Sequence, residues 1–472
     1  MRAGAAAQDD RAARGVLFAL IAIVAAATRL CHSGILWADD DLPLAAAMQL
    51  VRGKILYRDV WFDKPPLTAW VDLLWGARPG VGLRLAGAAF AVAAAAAAWH
   101  FARAKWGGRE GLFAAGLAAF FLIFGLPSAV IPLASDMLLI LPHFVAVYFA
   151  WRGRAFWSGA AAGVGLLCSS KALFVLAACA LWQWRQLPVL LAGFIAPNIV
   201  AIGWMDLYGS GVDYYREVWQ WGRMYAADTF VADPLSEGLK RTANWAGFQG
   251  ALVAGAAIAL YRERSWRMFF WIALSLAGVM LGLRFFPRYY FLLLPPMTIA
   301  AARGWSLVSR KRIAMILLAA LLAIPLVRFG PRYVTLARGG TWSDLDMDRD
   351  SREASEKLRA LAKPGDTLFA WGYRPDIFVY SELPPGTRFL ESQPISGVLA
   401  DRHLFSSKPS APEALTTPNL EELLDSRPTW VVDGLGPFNP GMALSRQPEL
   451  AEWLKQYIEV GRTGFSILYH VR

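Results

Sequence analysis

The sequence predicts a polytopic α-helical membrane protein with a C-terminal soluble α/β domain. Three observations carry that reading. Hydrophobic side chains make up 56% of the 472 residues and charged ones only 18%, a balance far from that of a soluble multidomain chain. Apolar runs of close to the ~20 residues that a bilayer core needs recur along the first two thirds. After residue 328 the composition changes to a charged, proline-rich stretch with turn signals at Pro364-Gly365-Asp366 and Pro385-Gly386.

Charge sets the sidedness of the apolar runs. The chain carries a net +11, but from Arg332 onward 16 Lys and Arg face 19 Asp and Glu, a net −3, which leaves +14 on the membrane part. Much of that excess falls in short connections: Arg2, Arg11 and Arg14; Arg103, Lys105 and Arg109; Arg152 and Arg154; Arg185; Arg262, Arg264 and Arg267; Arg303, Arg310, Lys311 and Arg312. Asp9, Asp10, Glu110 and Glu263 are the few acids among them. Cytoplasmic connections are basic in this way, which places these connections and the N-terminus inside and argues against a nucleic-acid partner. Alternating sides gives about eleven spans, at 15–32, 82–102, 111–126, 132–150, 157–170, 172–184, 187–207, 245–261, 267–283, 289–302 and 313–328. The first is read as an uncleaved helix despite its signal-like Ala25-Ala26-Ala27. The stretches 33–81, 208–244 and 329–472 then lie outside, and the chain divides into a transmembrane domain, 1–328, and an extracytoplasmic α/β domain, 329–472.

In that second domain, helix-like patterns at Ser351 to Ala362, Leu420 to Leu424 and Pro448 to Gln456 alternate with strand-like runs at Thr367 to Trp371, Thr429 to Val432 and Ile467 to Val471. Cys31, Cys168 and Cys179 lie in or beside apolar runs without metal or disulfide spacing and read as core residues.

The candidate chemistry lies in the outer loops. WADDDLPLAAAMQL places Asp39, Asp40 and Asp41 directly after the first span and before a helix-like run. Any one of them can simply be solvated or cap that helix. The same loop, however, holds Arg52, Lys54, Arg58, Asp59, Asp63 and Lys64 among Trp37, Tyr57, Trp61 and Phe62. Aromatics at an interface, cations for phosphate and a carboxylate to take a proton suit a polar group attached to a lipid. Pro65 and Pro66 break the chain direction and open the apolar helix that begins at Leu67. Asp136, in PSAVIPLASDMLLI, sits at the outer end of an apolar segment, where a lone charge in hydrocarbon costs ~2.5–3.5 kcal/mol. It either snorkels or faces a polar cavity, and Lys171 in CSSKAL has the same two readings. In LRFFPRYYFLLLPP, Arg284, Arg288, Tyr289 and Tyr290 form either an aromatic belt with an anchoring Arg or a phosphate contact.

With these residues the chain resembles the GT-C class of integral-membrane glycosyltransferases, and within it the bacterial family related to protein O-mannosyltransferases and the lipid A aminoarabinose transferase. The likeness runs through Asp40-Asp41, where that family often has Asp-Glu, then Gly53 to Tyr57, Asp63-Lys64-Pro65-Pro66, Asp136, and Arg284 to Tyr290. It implies a catalytic carboxylate at Asp40 or Asp41, with Asp39 a third claimant. Donor phosphate is assigned to Lys64, Arg58, Arg288 and Tyr289, and a substrate pocket to Asp63, Asp136 and Lys171. Asp63 takes the place of a carboxylate that can contact a divalent metal, the one cofactor the resemblance allows. Arg288 stands where relatives often have His, which leaves the metal set open. The implied partners are a polyprenyl-phosphate sugar donor and a lipid, glycan or protein acceptor at the outer face of a bacterial inner membrane. The absence of a Walker-type or dinucleotide fingerprint fits a lipid-linked donor. Two other classes compete: a transporter or flippase of a polar lipid, which predicts charges in mid-span and broken helices, and a non-catalytic envelope assembly protein.

Overall fold

In the computed structural model the backbone is described from Arg2 to Arg472 and the side chains from Arg14 onward, so the expectations for Arg2, Asp9, Asp10 and Arg11 lie outside the described residues. The longer helices are α1 (Arg2–Leu30), α2 (Asp41–Val51), α3 (Val81–Lys105), α4 (Gly108–Phe124), α5 (Ile140–Trp151), α6 (Ala155–Leu166), α7 (Ala172–Gln183), α8 (Leu187–Leu207), α9 (Pro234–Phe248), α10 (Gly250–Glu263), α11 (Trp266–Met280), α12 (Leu294–Val308), α13 (Arg312–Phe329), α14 (Asp346–Leu361) and α15 (Glu413–Asp425). Four strands follow α14: β1 (Leu368–Trp371), β2 (Trp430–Asp433), β3 (Tyr457–Arg462) and β4 (Ile467–Val471). Two compact units form, one from 1–33, 80–203 and 231–342, the other from 34–79, 204–230 and 343–472.

The first unit is helical. Among the described residues, five helical stretches are long and apolar enough to cross a membrane, and six if α9 and α10, bent by 90°, count as one. Others, such as α4, α5 and α6, are shorter. Directions follow from contacts. Asp136 and Lys171 pair just before α5 and α7, and Gln183 at the end of α7 donates to the Ala150 carbonyl at the end of α5, so these two helices run parallel. A Cβ on Gly159 of α6 would meet the Leu190 carbonyl at 1.9 Å, and one on Gly163 the Phe194 carbonyl at 2.3 Å, so α6 runs parallel to α8. Only a hydrogen at these two positions allows the backbones so close, the small-xxx-small packing of membrane helices.

Polar contacts sort the helix ends. At one end Arg303 bridges Glu110 at 2.7 Å and Glu263 at 2.5 Å, Arg109 donates to Ser309, and the Lys105 ammonium lies over the Trp151 ring. At the other, Arg29 donates to the Ile131 carbonyl at 2.8 Å, and buried Arg332 donates to the carbonyls of Ile123, Leu126 and Ser128. A buried guanidinium needs that many acceptors, and Arg332 thereby ties 329–342 to the helices. The division therefore differs from the one expected at 328/329: the C-terminal segment begins later, and it incorporates 34–79 and 204–230.

The second unit is built on a sheet of order β1-β2-β4-β3. β1 and β2 are parallel, β4 is antiparallel to both β2 and β3. The parallel pair needs a crossover, supplied by 372–429 with α15. All four residues of β1 and of β2 are buried. Trp61 and Trp221 enter the same core as Phe369, Trp371, Val431 and Trp453, and pack edge to face at 5.4 Å. These two indoles explain why segments far apart in sequence join the sheet. The strands expected from the sequence match β1, β2 and β4 to within a residue; β3, mostly exposed and without alternation, gave no such signal.

Candidate active site

In the second unit the three acids stand at the start of α2, where Asp40 precedes the helix and Asp41 opens it. They are not solvated: Asp39, Asp40 and Asp41 are 8%, 3% and 4% exposed. Negative side chains are favoured at a helix N-terminus, and Asp41 accepts the Leu42 N–H at 2.6 Å. Burial, and then Asp376, pushes the Asp41 carboxyl well above the usual range, while burial carries Asp376 itself to about 6. Both effects favour the neutral form of Asp41 over the charged one.

The loop after α2 turns back on itself at Gly53 to Asp59. Gly53 (φ 85°) and Tyr57 (φ 69°) both have left-handed backbones, unusual for a bulky residue. Tyr57 is held there by burial against Phe62 and Tyr214, whose ring is 5.1 Å away, by the Val60 carbonyl at 2.9 Å, and by Arg388, which donates to its carbonyl. Its hydroxyl donates to the Lys64 carbonyl at 2.8 Å, so the strained turn fixes the backbone of the Asp63-Lys64 pair. Lys64 Nζ meets Asp63 Oδ1 at 3.0 Å with its side chain 22% exposed. Burial opposes the ammonium, but Asp63 outweighs it, so Lys64 stays charged more firmly than a free lysine. Pro65 and Pro66 then lead into a short helix, Leu67–Trp70.

Residues of the C-terminal segment that the sequence reading did not single out complete this group. The Glu391 side chain is fully buried; Gln393 Nε2 donates to Glu391 Oε1 at 2.5 Å and lies 3.4 Å from Asp63 Oδ2. Burial, and then Asp63, lifts Glu391 to about 8. Tyr373 lies within electrostatic reach of Asp41, Asp63, Asp39 and Glu391; burial, and then those acids in that order, hold its phenol well above the usual range. Glu217 accepts from the Phe62 N–H at 2.8 Å and from Arg388. No local signal pointed to Glu391: only Phe389 and Leu390 precede it as apolar residues, and their full burial is a property of the fold. Arg58 takes other partners, Asp59 at 2.8 Å and the Tyr208 carbonyl at 3.2 Å, and is 47% exposed.

In the first unit, Asp136, Lys171 and Tyr289 come together. Lys171 Nζ is 2.7 Å from Asp136 Oδ1 and 3.2 Å from the centre of the Tyr289 ring, and the two charged side chains are 9% and 12% exposed. Asp136 and Lys171, each expected either to snorkel or to face a polar cavity, pair with one another. The preceding turn has positive φ at Gly282 and is strained at Leu283 and Phe285, which share that sign, and fully buried Arg284 lies within it. Arg288 stacks over Phe286 at 5.4 Å.

Among the described residues no three His, Cys, Asp or Glu side chains are grouped as they would be to hold a metal ion, and Asp63 has Lys64 on one oxygen. What the second-unit group offers chemically is a proton-handling carboxyl cluster beside a firmly charged ammonium.

No protein-family model and no curated protein matches the sequence. Solved structures do match in fold. The ArnT of Cupriavidus metallidurans bound to undecaprenyl phosphate superimposes with a TM-score of 0.62 at 15% identity, over 97% of this chain and 98% of that one. Its apo form gives 0.60 at 15% identity over the same shares. The apo oligosaccharyltransferase of Archaeoglobus fulgidus gives 0.50 at 12% identity, over 94% of this chain and 72% of that one. The chain thus has the fold of the GT-C glycosyltransferases, a multi-pass helical membrane fold joined to a smaller sheet-bearing unit.

Proposed function

We propose that this protein transfers a sugar from a polyprenyl-phosphate-linked donor to an acceptor hydroxyl or phosphate on a lipid, glycan or protein, at the outer face of a bacterial inner membrane. The observation that carries the reading is the burial of Asp39, Asp40 and Asp41 at the start of α2, with Asp39 within electrostatic reach of Lys64, in a chain whose fold is GT-C. The ArnT structure with undecaprenyl phosphate supports a lipid-phosphate donor.

In this reaction the acceptor oxygen forms a bond to the anomeric carbon as the bond from that carbon to the phosphate oxygen breaks. The electron pair leaves on the phosphate, and a carboxylate takes the acceptor proton, which gives inversion. Lys64 stabilises the charge that builds on the leaving phosphate. We assign the base to Asp40, with Asp39 and Asp41 beside it; burial and Asp376 favour the neutral form of Asp41. In the second unit Arg58 serves the approach of the anionic headgroup; in the first, Arg288 and Tyr289 supply a phosphate contact of their own and Asp136 and Lys171 a polar pocket.

Eleven crossings with a cytoplasmic N-terminus fit the sorting of helix ends, since Lys105, Arg109, Glu110, Glu263 and Arg303 share one end of their unit. The second unit is then extracytoplasmic. Purified protein incubated with radiolabelled polyprenyl-phosphate sugars and membrane extract tests the assignment: transfer is expected from wild type and lost in Asp40→Asn and Lys64→Ala. Transfer that survives in Asp40→Asn, Asp41→Asn and Lys64→Ala alike overturns it.

A further inference from the structure

The 388–393 stretch is laid along the 57–64 loop at several points. The Trp61 N–H donates to the Arg388 carbonyl at 2.9 Å, and Arg388 in turn donates to the Tyr57 carbonyl and to Glu217. Further on, Gln393 is held in one orientation. Its Oε1 accepts the Ala400 N–H at 3.2 Å, which turns its Nε2 toward the two acids, Glu391 Oε1 at 2.5 Å and Asp63 Oδ2 at 3.4 Å. An amide nitrogen has two N–H groups and no acceptor, so it can serve both acids at once. Glu391 is fixed by a second bond, from the Gln393 N–H to Oε2 at 3.1 Å.

We propose that Gln393 and Glu391 are positioning residues of the Lys64 phosphate site: their amide-carboxyl bridge holds Asp63 so that its other oxygen presents Lys64 in one orientation. This inference rests on the phosphate role proposed above for Lys64. The groups that face the bridge are Asp63 and Lys64 from the loop and Tyr373 from the turn after β1. That Glu391 is neutral near pH 7 agrees with its place there, because a second full negative charge beside Asp63 would draw on Lys64 and repel a phosphate. Without the bridge Asp63 keeps Lys64 but loses the anchor on its far oxygen, and a flexible lysine stem then samples several positions.

The test compares wild type, Gln393→Leu, Glu391→Gln and Lys64→Ala as full-length protein in lipid nanodiscs, with two readouts. The first is the rate at which an amine-acylating reagent labels Lys64, read by mass spectrometry against exposed Lys54 and Lys455 as internal standards. Gln393→Leu is expected to raise the Lys64 rate roughly threefold to tenfold, because a lysine stem no longer held in one orientation is reached more readily by the reagent, with Lys54 and Lys455 unchanged. The second is affinity for undecaprenyl phosphate, expected to fall about tenfold in Gln393→Leu, the scale of one charge-assisted hydrogen bond, and to vanish in Lys64→Ala. Glu391→Gln, close to isosteric, repeats both directions if the Leu variant does not fold. Lys64 labelling equal to wild type in the folded variants overturns the positioning role. Wild type that fails to bind undecaprenyl phosphate overturns the donor reading instead, while the labelling still decides the positioning.

Discussion

Replacing Glu391 by Gln separates burial of an acid from burial of its shape. In the folded protein Glu391 titrates near 8 against an ordinary value of 4.5, because burial and Asp63 penalise its charged form. Below 4.5 both folded and unfolded chains hold the proton, and the acid exerts no pH-dependent effect. Between 4.5 and 8 the folded chain keeps the proton that the unfolded chain releases, so wild-type stability falls as pH rises, by ~1.4 kcal/mol per pH unit from this group. At pH 7 that amounts to about 3 kcal/mol, and by pH 8 to about 4 kcal/mol. Glu391→Gln removes this slope but gives up one of the two acceptors that face Gln393, a loss of about 1–3 kcal/mol at every pH. The variant is therefore expected to unfold at lower temperature than wild type at pH 4.5 and at similar or higher temperature at pH 8. The assay is the unfolding midpoint of both proteins in nanodiscs across that range, followed by tryptophan fluorescence. Midpoint curves that stay parallel from pH 4.5 to 8 refute the reasoning.

Other consequences are as direct. Asp136→Asn or Lys171→Met alone leaves one buried charge without its partner and is expected to destabilise by about 3–5 kcal/mol; the double variant recovers part of this in a thermal-unfolding cycle, and additive losses would contradict a coupled pair. Gly159→Val pushes a side chain onto the Leu190 carbonyl and is expected to lower the yield of folded protein in size-exclusion profiles far more than Gly116→Val, where nothing lies within 4 Å. Tyr57→Phe removes the bond to the Lys64 carbonyl and is expected to cost about 1 kcal/mol of stability; it also weakens undecaprenyl phosphate binding, which an unchanged affinity would disprove.

Much was legible in the sequence because it is written in local pattern. Apolar runs and the basic connections between them mark helices and their ends, since hydropathy and charge act over a single turn or span. Short apolar and aromatic runs marked β1, β2 and β4, and Asp63-Lys64-Pro65-Pro66 marked its own loop. The three acids of α2 were visible as acids, but whether they were solvated was not, because burial depends on what packs over them. Glu391 and Gln393 escaped for the same reason: Gln393 reaches Asp63 across 330 residues of chain, and no periodicity links two positions so far apart. The sequence by itself determined a helical membrane protein, its apolar segments and the residues able to bind phosphate and move a proton. Only the tertiary structure decided which of those residues meet, that Asp41 is buried, and that the loop 34–79 and the C-terminal segment share one core through Trp61 and Trp221, because packing alone removes water from a carboxyl and sets a partner beside it.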